Sequence, residues 1–166
     1  MNGAPGLADA VLAVFRRVHE TVFAGDRAAN PALEVAVSEV LVAGDTPTVV
    51  LLTPWTLNGL AFPPDDQLPE ICEIGGVSRR LFHNNLEGLG DYWSVNLVPD
   101  VSKITGQDVA LSVARGLAEP WRDVVVQLRG EVGQANPGRR RLLDVRPSGP
   151  MPGASRGSGN GAAAWN

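Results

Sequence analysis

The sequence contains a single cysteine, Cys72, and only two histidines, His19 and His83. One thiol excludes an internal disulfide framework and a cysteine-cage metal site. Two imidazoles leave little for a zinc or iron centre. No apolar run approaches the roughly 18 residues of a membrane span. Positive charge is scarce as well: 14 Lys and Arg stand against 18 Asp and Glu, a net of −4, without the basic stripe of a general nucleic-acid binder. Gly-x-Gly-x-x-Gly, Walker and Gly-x-Ser-x-Gly motifs are all missing, which removes the nucleotide-binding and serine-hydrolase templates. What is there is a chain of 166 residues, 44% hydrophobic and 19% charged, with 19 Gly and 13 Pro. That is the composition of one soluble, cytoplasm-compatible domain, long enough to bury a core without a staple.

The charge is unevenly placed. Residues 1–121 hold 7 Arg and Lys and 15 Asp and Glu, a net of −8, whereas residues 122–166 hold 7 Arg and 3 acids, a net of +4. An acidic body with a basic tail fits a solubilising surface with a loose end. It equally fits self-association or a partner with a cationic segment.

Leu7 to Phe23 reads as an amphipathic helix. Leu7, Val11, Leu12, Phe15, Val18 and Val22 recur at steps of three and four, Arg16, Arg17 and Glu20 fall between them, and Gly25 is a natural stop. Glu34 to Val42 alternates as a strand with a slip near Glu39, and Thr48 to Thr53 is dense enough in Val and Leu for a central strand. The short link Ala43–Pro47 makes a hairpin of the two. Pro54 ends the second strand. Trp55 to Phe62, punctuated by Asn58 and Gly59, fits a buried turn or short helical segment better than a strand. Gly75-Gly76 marks a turn, Ser78 to Asn84 a third strand, and Tyr92 to Val98 a fourth. A helix follows over Gln107–Leu117, where Thr105 and Asp108 have the spacing of a weak capping box. Pro120 opposes its simple continuation, and Trp121 to Leu128 starts a separate short element. Residues 147–166, rich in Gly, Pro, Ser and Ala, cannot bury enough apolar surface to order themselves and form a disordered tail.

Chemistry is thinly signalled. His83 has the right unperturbed pKa for a general base but no nucleophile beside it, and a structural or surface role outweighs a catalytic one. His19 falls on the polar side of the first helix. Cys72 sits between Glu70 and Glu73, which disfavour a thiolate. Asp65 and Asp66 are adjacent in sequence, which does not make a shared acid–base site. The informative stretch is Thr53-Pro54-Trp55-Thr56-Leu57-Asn58-Gly59-Leu60-Ala61-Phe62-Pro63. It packs into the core, or it presents a peptide-docking surface with Trp55 as anchor and the acids Asp65, Asp66, Glu70 and Glu73 on its flank.

Thr53-Pro54-Trp55-x-Leu57-Asn58, then Phe62-Pro63, then Asp66-Gln67-Leu68, resembles the central signature of the HybE/HupJ-type [NiFe]-hydrogenase assembly chaperones. The order of the surroundings agrees. The Gly-Leu-Gly-x-Tyr turn ending at Tyr92 leads into Ser94-Val95-Asn96-Leu97, and Arg139-Arg140-x-Leu142-Leu143 is similar to the family's late element. The resemblance spans roughly residues 7–146. It departs after the last strand, where Asn96-Leu97-Val98-Pro99-Asp100 stands in place of a segment like Ser-Leu-x-Ser-Pro-Met.

The expected architecture is α+β: an antiparallel sheet of about four or five strands packed against two or three helices, in one domain over residues 1–146. The resemblance implies a cytoplasmic, non-enzymatic chaperone without a metal or organic cofactor of its own. Its implied partners are [NiFe]-hydrogenase small and/or large subunit precursors, the small one carrying a twin-arginine export signal, held until cofactor insertion is complete. Thr53, Pro54, Trp55, Leu57, Asn58, Phe62 and Pro63 would then meet apolar parts of the precursor, and Asp65, Asp66 and Glu70 its basic residues through charge-assisted pairs. Neither nucleic acid nor membrane insertion is expected. Two rivals remain: a small enzyme pairing His83 with a carboxylate in a deep pocket, and a small-molecule site walled by Trp55 and Trp93.

Overall fold

A computed structural model describes residues 4–22 and 25–134. The expected tail at 147–166, the Arg139–Leu143 element and Phe23 lie outside them. The chain divides into Met1–Arg129 and Gly130–Asn166, and of the second unit only the end of the last helix is described.

The described chain runs α1 (Ala4–Val22), β1 (Ala36–Val37), β2 (Leu41–Ala43), β3 (Thr46–Leu52), β4 (Leu57–Ala61), β5 (Ile71–Ile74), β6 (Val77–Arg80), β7 (Phe82–Leu86), β8 (Gly90–Val98) and α2 (Gln107–Gln134). Six strands form an antiparallel sheet in the order β1-β3-β4-β8-β7, with β2 also on β3, and β5–β6 form a separate hairpin. The α+β architecture is thus as expected, with two helices among the described residues and one more strand than the upper expectation.

The alternation from Glu34 to Val42 yields two short strands on one edge of β3. The slip near Glu39 is the break between them. Ser38 patches it: its N–H donates to the Val50 carbonyl at 2.9 Å, and its Oγ accepts from the Val50 N–H at 2.9 Å. The Gly44-Asp45 turn closes the β2–β3 hairpin as expected.

Four expectations are corrected. Trp55–Phe62 is neither buried turn nor helix beyond its first residues. It becomes β4, paired with β3 on one side and β8 on the other. The apolar run lacks alternation because most of β4 is buried on both faces of the sheet. Ser78–Asn84 is not one strand: β6 joins the hairpin and β7 the main sheet, and buried Leu81 between them donates its N–H to the Glu70 carbonyl at 2.8 Å. Strand β5, in a stretch that reads as an acidic loop, pairs with β6 across Gly75-Gly76, both at positive φ. Finally, α2 runs straight through Pro120. Its buried positions Ala110, Ala114, Ala118, Trp121, Val125 and Leu128 keep helical spacing across the proline. Burying that stripe outweighs the roughly 3 kcal/mol that a mid-helix proline costs. Pro120 and Gly116, whose carbonyl loses its partner, both lie on the exposed side, so water can serve that carbonyl.

The sheet has two faces. On one, Val50, Leu52, Leu57, Ala61, Trp93 and Val95 pack with α2. On the other, Val49, Leu51, Leu60 and Tyr92 pack with Val11 and flanking residues of α1. The α2 contact is unusually close at Gly59. A Cβ there would stand 2.6 Å from Trp121 Cε2, and the Trp121 indole N–H donates to the Leu60 carbonyl at 2.9 Å. Only glycine lets the indole lie flat on a central strand.

Candidate functional site

The stretch with the strongest sequence signal is built around Thr53. Its N–H donates to the Thr56 carbonyl at 2.9 Å, and its Oγ1 accepts from the backbone N–H groups of Trp55 and Thr56 at 3.2 and 3.1 Å. This clamps a tight β3–β4 turn. Thr53 and Pro54 are buried, and the Pro54 carbonyl accepts from the Asn30 N–H at 2.8 Å. Asn30 in turn donates through Nδ2 to the carbonyls of Val101 and Ile104, both at 2.9 Å. The turn is therefore rigid, and it holds Trp55 partly buried, edge-on to His19 of α1 with ring centroids 5.2 Å apart. His19 is thus not simply solvated: its Nδ1 is buried.

The structure separates the residues that the sequence strings together. Leu57 is wholly buried in the α2 core and Pro63 is buried at the far end of β4. Neither offers a side chain to a partner. Asn58 lies on the α1 face opposite Leu51 and Asn96. Phe62 is half-buried against Tyr92 at 5.6 Å. Trp55 and the acids stand at opposite ends of β4, a strand of five residues and about 17 Å.

Nor are the acids equivalent. Asp65 and Asp45 are both taken by Arg129. Its Nη1 donates to Asp65 Oδ1 at 2.8 Å and to the Gln67 carbonyl at 2.8 Å, and its Nη2 meets Asp45 Oδ2 at 3.0 Å. The Arg129 guanidinium holds both carboxyls below the usual carboxylate range, chiefly through these hydrogen bonds. Arg129 thus ties the turns that carry Asp45 and Asp65 to α2. Asp66, at φ +59°, accepts from or pairs with His83 Nε2 at 2.9 Å. Glu70 remains open, with Arg80 at 3.8 Å.

The features missed in sequence are on the open part of the sheet. On the α1 face the residues at Asn58, Ser94, Asn96, Phe82 and Asn84 fall outside the apolar cluster under α1. Phe82 is half-exposed, with the Arg80 guanidinium 5.8 Å from its ring centre. Asn84 Nδ2 donates to Ser94 Oγ at 3.0 Å. A shallow cleft of about 260 Å³ runs beside Ser78, Arg79, Arg80, Phe82 and Asn96. Polar and aromatic residues alternating here with buried ones on the other face were the only signal available.

The geometry bears on both rivals. Trp93 is on the α2 face and Trp55 contacts α1, so they wall no common pocket. His83 does pair with carboxylates, but its side chain is 42% exposed at the sheet edge and not inside a deep pocket. Cys72 is buried in the core. Among the described residues no helix is long and apolar enough to cross a membrane.

A family model described as "[NiFe]-hydrogenase assembly, chaperone, HybE" matches residues 6–145. Among solved structures the chain is similar to the solution structure of HybE from Escherichia coli. The two share 20% identity and a TM-score of 0.52 over 70% of this chain and 77% of that one, a likeness of fold. No curated protein matches the chain.

Proposed function

The chain belongs to the HybE family of [NiFe]-hydrogenase assembly chaperones, and from that premise we propose that it holds a hydrogenase subunit precursor in the cytoplasm until cofactor insertion and assembly are complete. The small subunit with its twin-arginine export signal is the foremost candidate, with the large subunit beside it. The protein works by binding and release, not by turnover.

One observation carries the choice of surface: on the α1 face Asn96 and Phe82 are exposed and Asn58 and Ser94 partly so, outside the apolar cluster under α1. Trp55 and Asn58 receive the precursor's apolar and backbone groups, with Asn96 and Phe82 continuing the surface; Phe62, packed on Tyr92 under α1, contributes only its outer edge. A rigidly held tryptophan with part of its ring at the surface loses little entropy on docking and is the kind of residue that anchors interfaces. Glu70, exposed on the rim, meets basic residues. The net −8 of residues 1–121 steers an arginine-bearing segment toward the body more than it sets affinity.

The test is capture of untagged precursor by the full chain from cells expressing the hydrogenase operon, for wild type and for Trp55→Ala. Wild-type capture, lost in a variant whose denaturation profile stays cooperative, supports both chaperone and surface. Capture by both keeps the chaperone but rejects the surface. Capture by neither, from cells that contain the precursor, rejects the chaperone reading. Equal capture at low and high salt would reject the electrostatic part.

A further inference from the structure

We propose that Asp66, His83 and Asp91 form a binding site for a divalent transition-metal ion at the outer edge of the sheet. His83 lies on β7 and Asp91 on β8, both on the α2 face, and Asp66 comes in from the loop after β4. One ligand atom from each lies within 4.8 Å of the other two. His83 Nε2 is 2.9 Å from Asp66 Oδ2 and 3.5 Å from Asp91 Oδ1. Ligands at about 2.1 Å from one ion are themselves about 3.0–3.4 Å apart, so both His83 contacts already have the spacing of a shared ion, and the two carboxylates, within 4.8 Å of each other, have only to close on it.

Two features separate this cluster from an ordinary surface ion pair. Asp66 Oδ1, the oxygen that does not face His83, is buried and accepts no hydrogen bond. A carboxylate oxygen withdrawn from water without a donor is costly, and an ion bound by both oxygens of Asp66 would satisfy it. The supports are also fixed. Asn85 Nδ2 holds Asp91 Oδ1 at 2.9 Å, and the His83 ring lies against buried Trp93 with centroids 5.1 Å apart. Metal ligands are usually oriented by such neighbours. One imidazole with two carboxylates suits zinc or cobalt better than magnesium or calcium, which prefer all-oxygen sites. The exposed side leaves room for water to complete the coordination shell.

Zinc titrated calorimetrically into the metal-free full chain tests the site, with cobalt quenching of tryptophan fluorescence as an independent readout through Trp93. The expected result is one saturable equivalent. His83→Gln and Asp66→Asn each weaken it by at least about tenfold, Asn85→Ala by about tenfold, and His19→Gln leaves it unchanged. Asn tolerates the left-handed backbone at position 66, so Asp66→Asn tests the charge and not the turn. Absence of saturable binding, or binding that survives both His83→Gln and Asp66→Asn, overturns the proposal. Precursor capture is scored separately, so failure of the metal site leaves the chaperone reading standing, and failure of the chaperone reading leaves the metal site standing.

Discussion

The two faces of the central sheet are covered to different extents. The α2 face is sealed over its centre: small residues on the helix let Trp121 press onto Gly59, and the indole N–H is satisfied by a strand carbonyl, leaving only the β7 edge with His83 and Asp91 open. The α1 face is sealed only in part. Where α1 ends its apolar contacts, the strands present Asn58, Ser94, Asn96 and Phe82 to the surface. The lesson is that alternate residues of β4 and β8 meet different surroundings: Gly59, Trp93 and Val95 go to the α2 core, while Asn58, Ser94 and Asn96 sit on the face that α1 covers only in part and that we propose for recognition.

The sharpest test of that division is Trp121→Ala. It empties the largest fully buried side-chain position of the core and should cost about 3–5 kcal/mol in chemical denaturation. Gly59→Ala on the same contact should cost about 1–3 kcal/mol by overpacking. A loss below 1 kcal/mol for Trp121→Ala would break the comparison.

Trp55→Ala should behave in the opposite way. Its stability cost is about 1–2 kcal/mol, mostly the lost ring contact with His19. Its effect on precursor affinity is about 2 kcal/mol, or about 30-fold. Binding that falls no more than stability would place recognition elsewhere.

Pro120→Ala sharpens the account of α2. If packing alone carries the helix through the proline, alanine should raise stability by about 1–2 kcal/mol, seen as a higher denaturation midpoint with an unchanged slope. A destabilised variant would mean that the proline contributes shape that the core requires.

The smallest effect is expected at Arg129. Arg129→Met removes the partner of Asp45 and Asp65, and because both acids are half-exposed the cost at neutral pH is only about 1 kcal/mol. The pH dependence is more telling. Both carboxyls are depressed in the folded state. Their contribution is therefore full above the ordinary carboxylate range and disappears as pH falls through the lowered values. Wild type and variant should differ in stability at neutral pH and converge in strong acid. A constant gap across that range would assign the cost to lost packing of the arginine stem.

Much of the fold is legible in single segments. Periodicity marks α1, the Val-rich run marks β3, the short link Ala43–Pro47 marks one hairpin, and Gly75-Gly76 marks a turn whose first strand, β5, is not legible. Strand β4 is not legible, because burial on both faces erases alternation and a short apolar run with glycine fits turn, helix or strand alike. The site is less legible still. Asp65 and Asp66 are neighbours in the chain, yet one is bound to Arg129 and the other to His83.

Sequence by itself determined the fold class, the family resemblance, the first helix and the turn at Thr53, since each rests on local spacing or on a run of specific residues. Tertiary structure alone decided that α2 would pass Pro120, that Leu57 would be core while Asn58 is surface, and that Asp66, His83 and Asp91 would meet. The reason is physical: local propensities act over a few residues, whereas burial of a continuous apolar stripe and the register of adjacent strands are settled only when distant segments pack.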